Sequence, residues 1–440
     1  MSQMTRGRFD GWGLYLTAIV CLIPVVVPSG PARLAIVDAV IALGMIAFVF
    51  TILGQRENVR VPFLVPVVII TVGSLAAVVN AVSPTASFLA LAQDAYLFLW
   101  FVMLVHLLRD RDLTRIQLTW VWAGNIIALI ALFILFKDGD LSLADFIKPR
   151  GRRALGTFYD PNMFAGYLVM SMFFVLSLGR KLPRLAKWGS LALLSVCIIA
   201  TKSNGGALSL VAGLAAWGLM RAWTMRIPIP AIVAGTMLIV ALAVGVVWMI
   251  AGFGLGASQL NAFESNSFLA RASHSSAGRF TIWKNLQATY AKSPLGIGPG
   301  NSRYLTLTVE QRLRPNSLQA KEAHNDYLAY AIERGPLGLL GLLAMLGLTF
   351  AKLGAAARRR EDEDSAADPT GPLVAAATGA MVATAVHALT IEVLHFRHVW
   401  MLLAIVCAIE AQAKRARAER GGEAGSASMW SAQRPGVEAA

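Results

Sequence analysis

The sequence predicts an all-α integral membrane protein with about twelve transmembrane helices and one large external loop containing short helices. Three observations predict it. Hydrophobic residues make up 56% of the 440 and charged residues only 15%, more apolar surface than a soluble core uses. The apolar residues fall in runs long enough to cross about 30 Å of hydrocarbon. The connections between those runs alternate between basic and non-basic, the asymmetry that orients a chain in a membrane.

Taken in order, the runs begin near Trp12, Ala32, Val61, Ala86, Gln117, Pro161, Ala186, Gly205 and Ile227, and then near Gly335, Gly371 and Val399. Arg6 and Arg8 precede the first run without a small-residue cleavage site after it, so it is expected to remain as an uncleaved span. The organisation expected is a membrane domain over 1–251, an external catalytic loop over 252–334, the last spans over 335–413 and a disordered cytoplasmic tail over 414–440. The connections Gln55–Arg60, Arg109–Arg115, Arg180–Lys187, Arg221–Arg226, Ala355–Asp364 and Lys414–Arg420 carry the positive charge. They are expected in the cytoplasm with both termini, which places Lys137–Asn162 and Gly252–Arg334 together on the external face of a plasma membrane.

Composition also excludes classes. Cys21, Cys197 and Cys407 all lie in apolar runs, so neither a disulfide framework nor a CxxC metal or redox site is available. The net charge of +14 is spread over span ends without interleaved aromatics, an orientation signal and not a nucleic-acid surface. Asp110 with Asp112, Asp138 with Asp140 and Asp362 with Asp364 have the spacing of metal-binding pairs, but no nucleotide-binding fold accompanies them and solvated charge is the simpler reading. Glu392, His395 and His398 fall at helical spacing; metal ligation is weighed there against lining the acceptor's path. His387 is expected to hydrogen-bond a neighbouring helix, and Asn80, Gln93 and Asp94 to be polar groups near membrane depth.

Chemistry-bearing residues concentrate in two places. In Pro149–Asn162, Asp160 can cap a helix whose first position is Pro161, and Arg150, Arg152 and Arg153 stand just before that N-terminus, an arrangement suited to an anion. In the large loop, Phe280, Trp283, Leu286 and Tyr290 have the spacing of an interfacial helix. Gly296, Gly298 and Gly300 follow in a turn with no strand before it, so the glycines are read as permitting sharp bends and not as a nucleotide fingerprint. Glu322–Arg334 then reads as a helix with His324, Tyr327, Leu328 and Ala331 on one face.

The combination of Gly278-Arg279 and Trp283, then Pro294-Leu-Gly-Ile-Gly298, then His324-Asn325-Asp326-Tyr327-Leu328 with Glu333-Arg334-Gly335 and Gly338, resembles the signature of the O-antigen ligase and polymerase family. Upstream, Gly156–Ala165 is similar to that family's second recurrent block. The resemblance implies a membrane glycosyltransferase of the C-type architecture, with an undecaprenyl-diphosphate-linked glycan as donor, a lipid-core or glycan acceptor, no cofactor and no metal. By position, Arg279 would bind the donor diphosphate, and His324 would act on the acceptor hydroxyl or steady the leaving phosphate. Arg152, Arg153, Lys202, Asn162 and Asn325 complete the substrate-binding set. One position departs from the pattern: Thr201-Lys-Ser-Asn204 has Asn204 where the family usually has arginine. Lys202, Arg152 or Arg153 would then supply the charge, or the donor is held differently.

The chemistry stands apart from the resemblance. Breaking a sugar–diphosphate bond builds negative charge on phosphate, which preorganised arginines stabilise more in the transition state than in the ground state. A neutral histidine can serve as general base, contributing about 10² to 10⁴ in rate. Attack opposite the leaving group inverts the anomeric centre. Ligation of a finished glycan and elongation of a repeat-unit polymer both fit. A lipid-linked glycan transporter or flippase would fit the many spans, but the polarity gathers in one external loop and not at the membrane midplane.

Overall fold

The computed structural model describes residues 10–26, 35–55, 59–137, 153–158, 160–224, 283, 286–288, 290–305, 323–358 and 371–432. Every regular element among them is helical. In chain order they are α1 (Gly11–Leu22), α2 (Ile36–Gln55), α3 (Leu64–Val78), α4 (Pro84–Leu108), α5 (Leu113–Lys137), α6 (Pro161–Leu178), α7 (Arg184–Ala200), α8 (Asn204–Thr224), the single turn Ser302–Leu305, α9 (Asp326–Arg358), α10 (Gly371–His387) and α11 (Arg397–Ala432), with a 3-10 turn at Gly179–Lys181. Six of these, α2, α4, α5, α6, α8 and α9, are long and apolar enough to cross a membrane, and α1, α3 and α10 are shorter apolar helices. Each expected run contains a helix except the one near Ile227, which lies outside the described residues, as does most of the 252–334 loop. The last helix runs on to Ala432, across residues expected as a tail; the Ala-, Glu- and Arg-rich stretch from Ala411 to Ala424 has strong helix propensity.

The helix starts follow from local sequence. Asp160 accepts from the backbone N–H groups of Asn162 at 2.6 Å and Met163 at 3.2 Å, with Pro161 at the first position of α6, as the sequence predicts. Ser83 caps α4 in the same way, its hydroxyl 3.3 Å from the Ala86 N–H.

The core is built around α6, whose Phe164, Tyr167, Phe173 and Phe174 are fully buried. Trp120 of α5 stacks on Tyr167 with ring centroids 5.4 Å apart, and its indole donates to Ser171 at 3.0 Å. Polar side chains inside the bundle pair across helices, Asn125 with Ser190 at 2.7 Å and Ser177 with Gln117 at 2.5 Å, since an unpaired polar group there has no water to turn to. Small residues set the closest crossing. A Cβ on Gly213 of α8 would stand 2.7 Å from the Gly379 carbonyl oxygen of α10, and one on Gly379 would stand 2.8 Å from that of Gly213.

Contacts between connections divide the molecule into two ends. At one, Arg111 pairs with Asp10, Arg415 with Asp110, and Lys181 donates to Thr114 at 2.7 Å; the Arg111 guanidinium holds the Asp10 carboxyl down to about 2. This is the basic end. At the other, Arg397 grips Asp38, with Nε 2.7 Å from Oδ1, and Tyr96 donates to the same carboxylate at 2.9 Å. The Ala154 N–H meets the Ala200 carbonyl there at 3.0 Å.

Candidate functional site

The residues expected to carry chemistry that fall within the described chain all lie at the second end, on helix termini. Arg153 comes from the connection before α6 and lies across the end of α7. Its Nε donates to the Thr201 carbonyl at 2.7 Å, and its Nη2 donates to Asn162 Oδ1 at 3.0 Å and to the Lys202 carbonyl at 3.4 Å. Ser203 donates to the same Asn162 oxygen at 2.8 Å while accepting from the Gly206 N–H at 3.1 Å as the cap of α8. Lys202 turns the chain between α7 and α8 with φ 52. Arg153, Asn162 and the Thr201–Ser203 turn therefore form one cluster, and Arg153 occupies the neighbourhood in which the family pattern places an arginine. Asn204, at that position in the sequence, has a buried Oδ1 without a hydrogen-bond partner among the described residues.

The second cluster surrounds the start of α9. His324 is half-buried with φ 51. Asn325 caps the helix, its Oδ1 accepting from the Leu328 N–H at 3.1 Å. Asp326 is buried and faces inward: its N–H donates to the Ala388 carbonyl at 2.9 Å and its Oδ2 accepts from the Val393 N–H at 2.7 Å. Trp283 donates to the Ala323 carbonyl at 2.9 Å, which ties the preceding aromatic stretch to the residue before His324.

At its far end the same stretch of α9 is held by two further side chains. The Glu333 carboxylate accepts from the Gly300 N–H at 2.7 Å and the Ser302 N–H at 2.9 Å. Arg334 is buried against Asp94 at 2.5 Å and Ser74 at 2.9 Å and lies 4.5 Å from the centre of the Tyr330 ring. Gly335 then breaks α9 with φ 67 and ψ −170 before Pro336 restarts it. The glycine-rich turn fits into this break. The Ile297 N–H meets the Ile332 carbonyl at 3.0 Å, and a Cβ on Gly296 would stand 2.8 Å from both the Glu333 carbonyl and the Gly335 nitrogen. Asn80 and Ser83 hold the turn from the α3–α4 side, Asn80 Nδ2 reaching the Gly296 carbonyl at 3.1 Å and the Ser83 N–H reaching Asn301 Oδ1 at 2.7 Å. The bends are as expected. Their use is to let the backbone close onto the broken helix.

Sequence reasoning places Asp94 near membrane depth without its partner; the pairing spans 240 residues and has no local signal. Glu333 and Arg334 stand out in the sequence as part of the Glu333-Arg334-Gly335 pattern, which does not say what each side chain holds. Arg279 and Arg152 lie outside the described residues. Among the described residues no three His, Cys, Asp or Glu side chains gather in a metal-ligating arrangement. Glu392 and His395 approach to 3.4 Å, but the His398 ring packs against Phe158, Tyr167 and Phe396 instead. His387 fits beside two glycines: a Cβ on Gly166 would meet its Nδ1 at 2.6 Å and one on Gly205 its Cδ2 at 3.4 Å.

Residues 189–343, from α7 into α9, match the family model described as O-antigen ligase. Over that segment the chain is similar to the O-antigen ligase family. That family is associated with ligase- or polymerase-type glycan transfer at membranes. The matched segment includes the Thr201–Asn204 turn, the glycine-rich turn, His324 and Glu333–Gly335, while Arg153 and Asn162 precede it. Comparison with curated proteins gives no match.

Proposed function

We propose that the protein is a glycosyltransferase of the O-antigen ligase type, moving a glycan from an undecaprenyl-diphosphate carrier to an acceptor at the external face of the plasma membrane. The observation that carries this is the placement, at the end away from the basic connections, of an arginine–amide cluster and the helix start that bears His324 against the same 388–394 turn. On this reading both termini are cytoplasmic and the chain makes about twelve crossings. Arg153 and Lys202 supply the positive charge that Asn204 does not, and Arg279 joins them on the diphosphate. The acceptor hydroxyl oxygen attacks the anomeric carbon while the bond from that carbon to the diphosphate oxygen breaks, the electron pair leaving with the diphosphate. His324 takes the hydroxyl proton, and the anomeric centre inverts.

The test is incubation of the purified protein in lipid with undecaprenyl-diphosphate bearing a fluorescent oligosaccharide. Lipid A core serves as acceptor in one arm and a second donor molecule in the other. Product on lipid A core indicates ligation, and longer oligosaccharide indicates polymerisation. Movement of intact donor across vesicles without product would replace the transferase reading with a flippase. His324→Gln keeps hydrogen bonding but cannot accept and release a proton near neutral pH, so its turnover should fall by about 10² or more. Retained turnover would make His324 a substrate-orienting residue.

A further inference from the structure

The two clusters of the site are held by different helices, and the turn between α10 and α11 stands between them. From the His324 side, Asp326 is fastened to that turn by both its N–H and its carboxylate, at Ala388 and Val393, and the Tyr327 hydroxyl donates to the Ala385 carbonyl at 2.9 Å just before it. From the Arg153 side, a Cβ on Gly205 would collide with Thr390 Oγ1, so the start of α8 lies directly against the same turn. The turn itself is braced. Thr390 donates to the His387 carbonyl at 2.9 Å, the Phe396 N–H meets the Val393 carbonyl at 2.9 Å, and the Trp400 indole donates to the Leu394 carbonyl at 2.8 Å.

We propose that Asp326 is a positioning residue for glycan transfer: by gripping the 388–394 turn it fixes His324 relative to the Arg153, Asn162 and Ser203 cluster. The proposal rests on the transferase reading and on His324 as the proton acceptor. Asp326 itself is buried at 2% exposure and directed into the turn, so it is not placed to touch substrate. Its neighbour Glu392 is also buried and meets His395 at 3.4 Å, so the turn already holds a second carboxyl group. What the Val393 N–H needs from residue 326 is an acceptor oxygen, and a full negative charge is not required for that. The distance between base and leaving group is the quantity at stake, and an error of about 1 Å in such a placement costs on the order of 10²-fold in rate.

The experiment compares Asp326→Ala, Asp326→Asn and His324→Ala in the full-length protein in lipid, using the fluorescent undecaprenyl-diphosphate oligosaccharide. Asp326→Ala should lower kcat by about 10- to 100-fold with donor KM within about twofold, because the donor cluster remains intact. Asp326→Asn should retain most of the turnover, since its amide oxygen can still accept from Val393. Amide hydrogen exchange over residues 388–396 should quicken in the alanine variant and stay slow in the asparagine variant. Normal kcat in Asp326→Ala beside an inactive His324→Ala would overturn the positioning role while leaving the transferase reading intact. Activity retained in His324→Ala would instead remove the reading on which the role rests. Unchanged hydrogen exchange in Asp326→Ala would likewise overturn it, as would loss of activity in Asp326→Asn equal to that of the alanine variant.

Discussion

Arg334 joins a helix break to two other helices through one buried guanidinium, and the group it neutralises, Asp94, is itself 27% exposed at the side chain. Removing the arginine leaves a carboxylate without its donor, so Arg334→Ala should lose about 2 kcal/mol in reversible unfolding from lipid–detergent mixtures. Pairing it with Asp94→Ala should recover part of the loss, because the stranded charge is then absent; full additivity of the two would show that they do not interact. Arg153 has a different task. Arg153→Lys cannot span the Thr201 carbonyl and the Asn162 amide with one planar fork, so the donor KM should rise about tenfold with a smaller change in kcat. An unchanged KM would remove Arg153 from the donor site. The individual residues His324, Asn325 and Asp160 are legible in the sequence because a cap or a motif announces itself locally. Glu333 and Asp94 also stand out, one within a motif and the other as an acid in an apolar run, but their tasks do not, since each depends on a partner on another element.

At the scale of elements, the α8–α10 crossing depends on Gly213 and Gly379 facing each other across a gap that admits no Cβ. Gly379→Val should force the helices apart and expose the aromatic ring of Phe173, which lies 2.6 Å from where a Cβ on Gly379 would stand. The expected outcome is a fall in Tm of several degrees, read by fluorescence-detected unfolding in detergent. A Tm equal to the parent would mean that the two helices can slide apart without cost. Helix positions are readable from apolar runs because twenty apolar residues have few other fates. Two features of the elements are not. The sequence suggests a helix over Glu322–Arg334 and a separate span from Gly335, whereas the two run on from Asp326 to Arg358 as one element kinked at Gly335, because a Gly-Pro pair ends a helix in some settings and only bends it in others. The extension of α11 to Ala432 is hidden because the charge density of that stretch suggests a tail while its propensity favours a helix.

For the whole molecule, the division into a basic end and a site-bearing end leads to a topology that can be measured. In a chain without native cysteines, Lys292→Cys beside the glycine-rich turn should react with an impermeant thiol reagent in spheroplasts, and Arg184→Cys at the start of α7 only after lysis. The reverse pattern would turn the site towards the cytoplasm. The expected orientation rests on charge alternation, and the contacts of Arg111 with Asp10 and of Arg415 with Asp110 gather some of those charges at one end. The joining of the two site clusters is not legible, because it runs through the 388–394 turn, whose residues bear no motif. The pairing of Asp94 with Arg334 also has a consequence in time. Asp94 lies about 15 Å along α4, and the ribosome delivers its partner 240 residues later, roughly 12–48 s at ordinary rates of synthesis. Throughout that interval the nascent chain keeps an acid in the bilayer at a cost of about 2.5–3.5 kcal/mol. A chain that ends anywhere between the two residues therefore carries the Asp94 acid without the guanidinium that pairs with it.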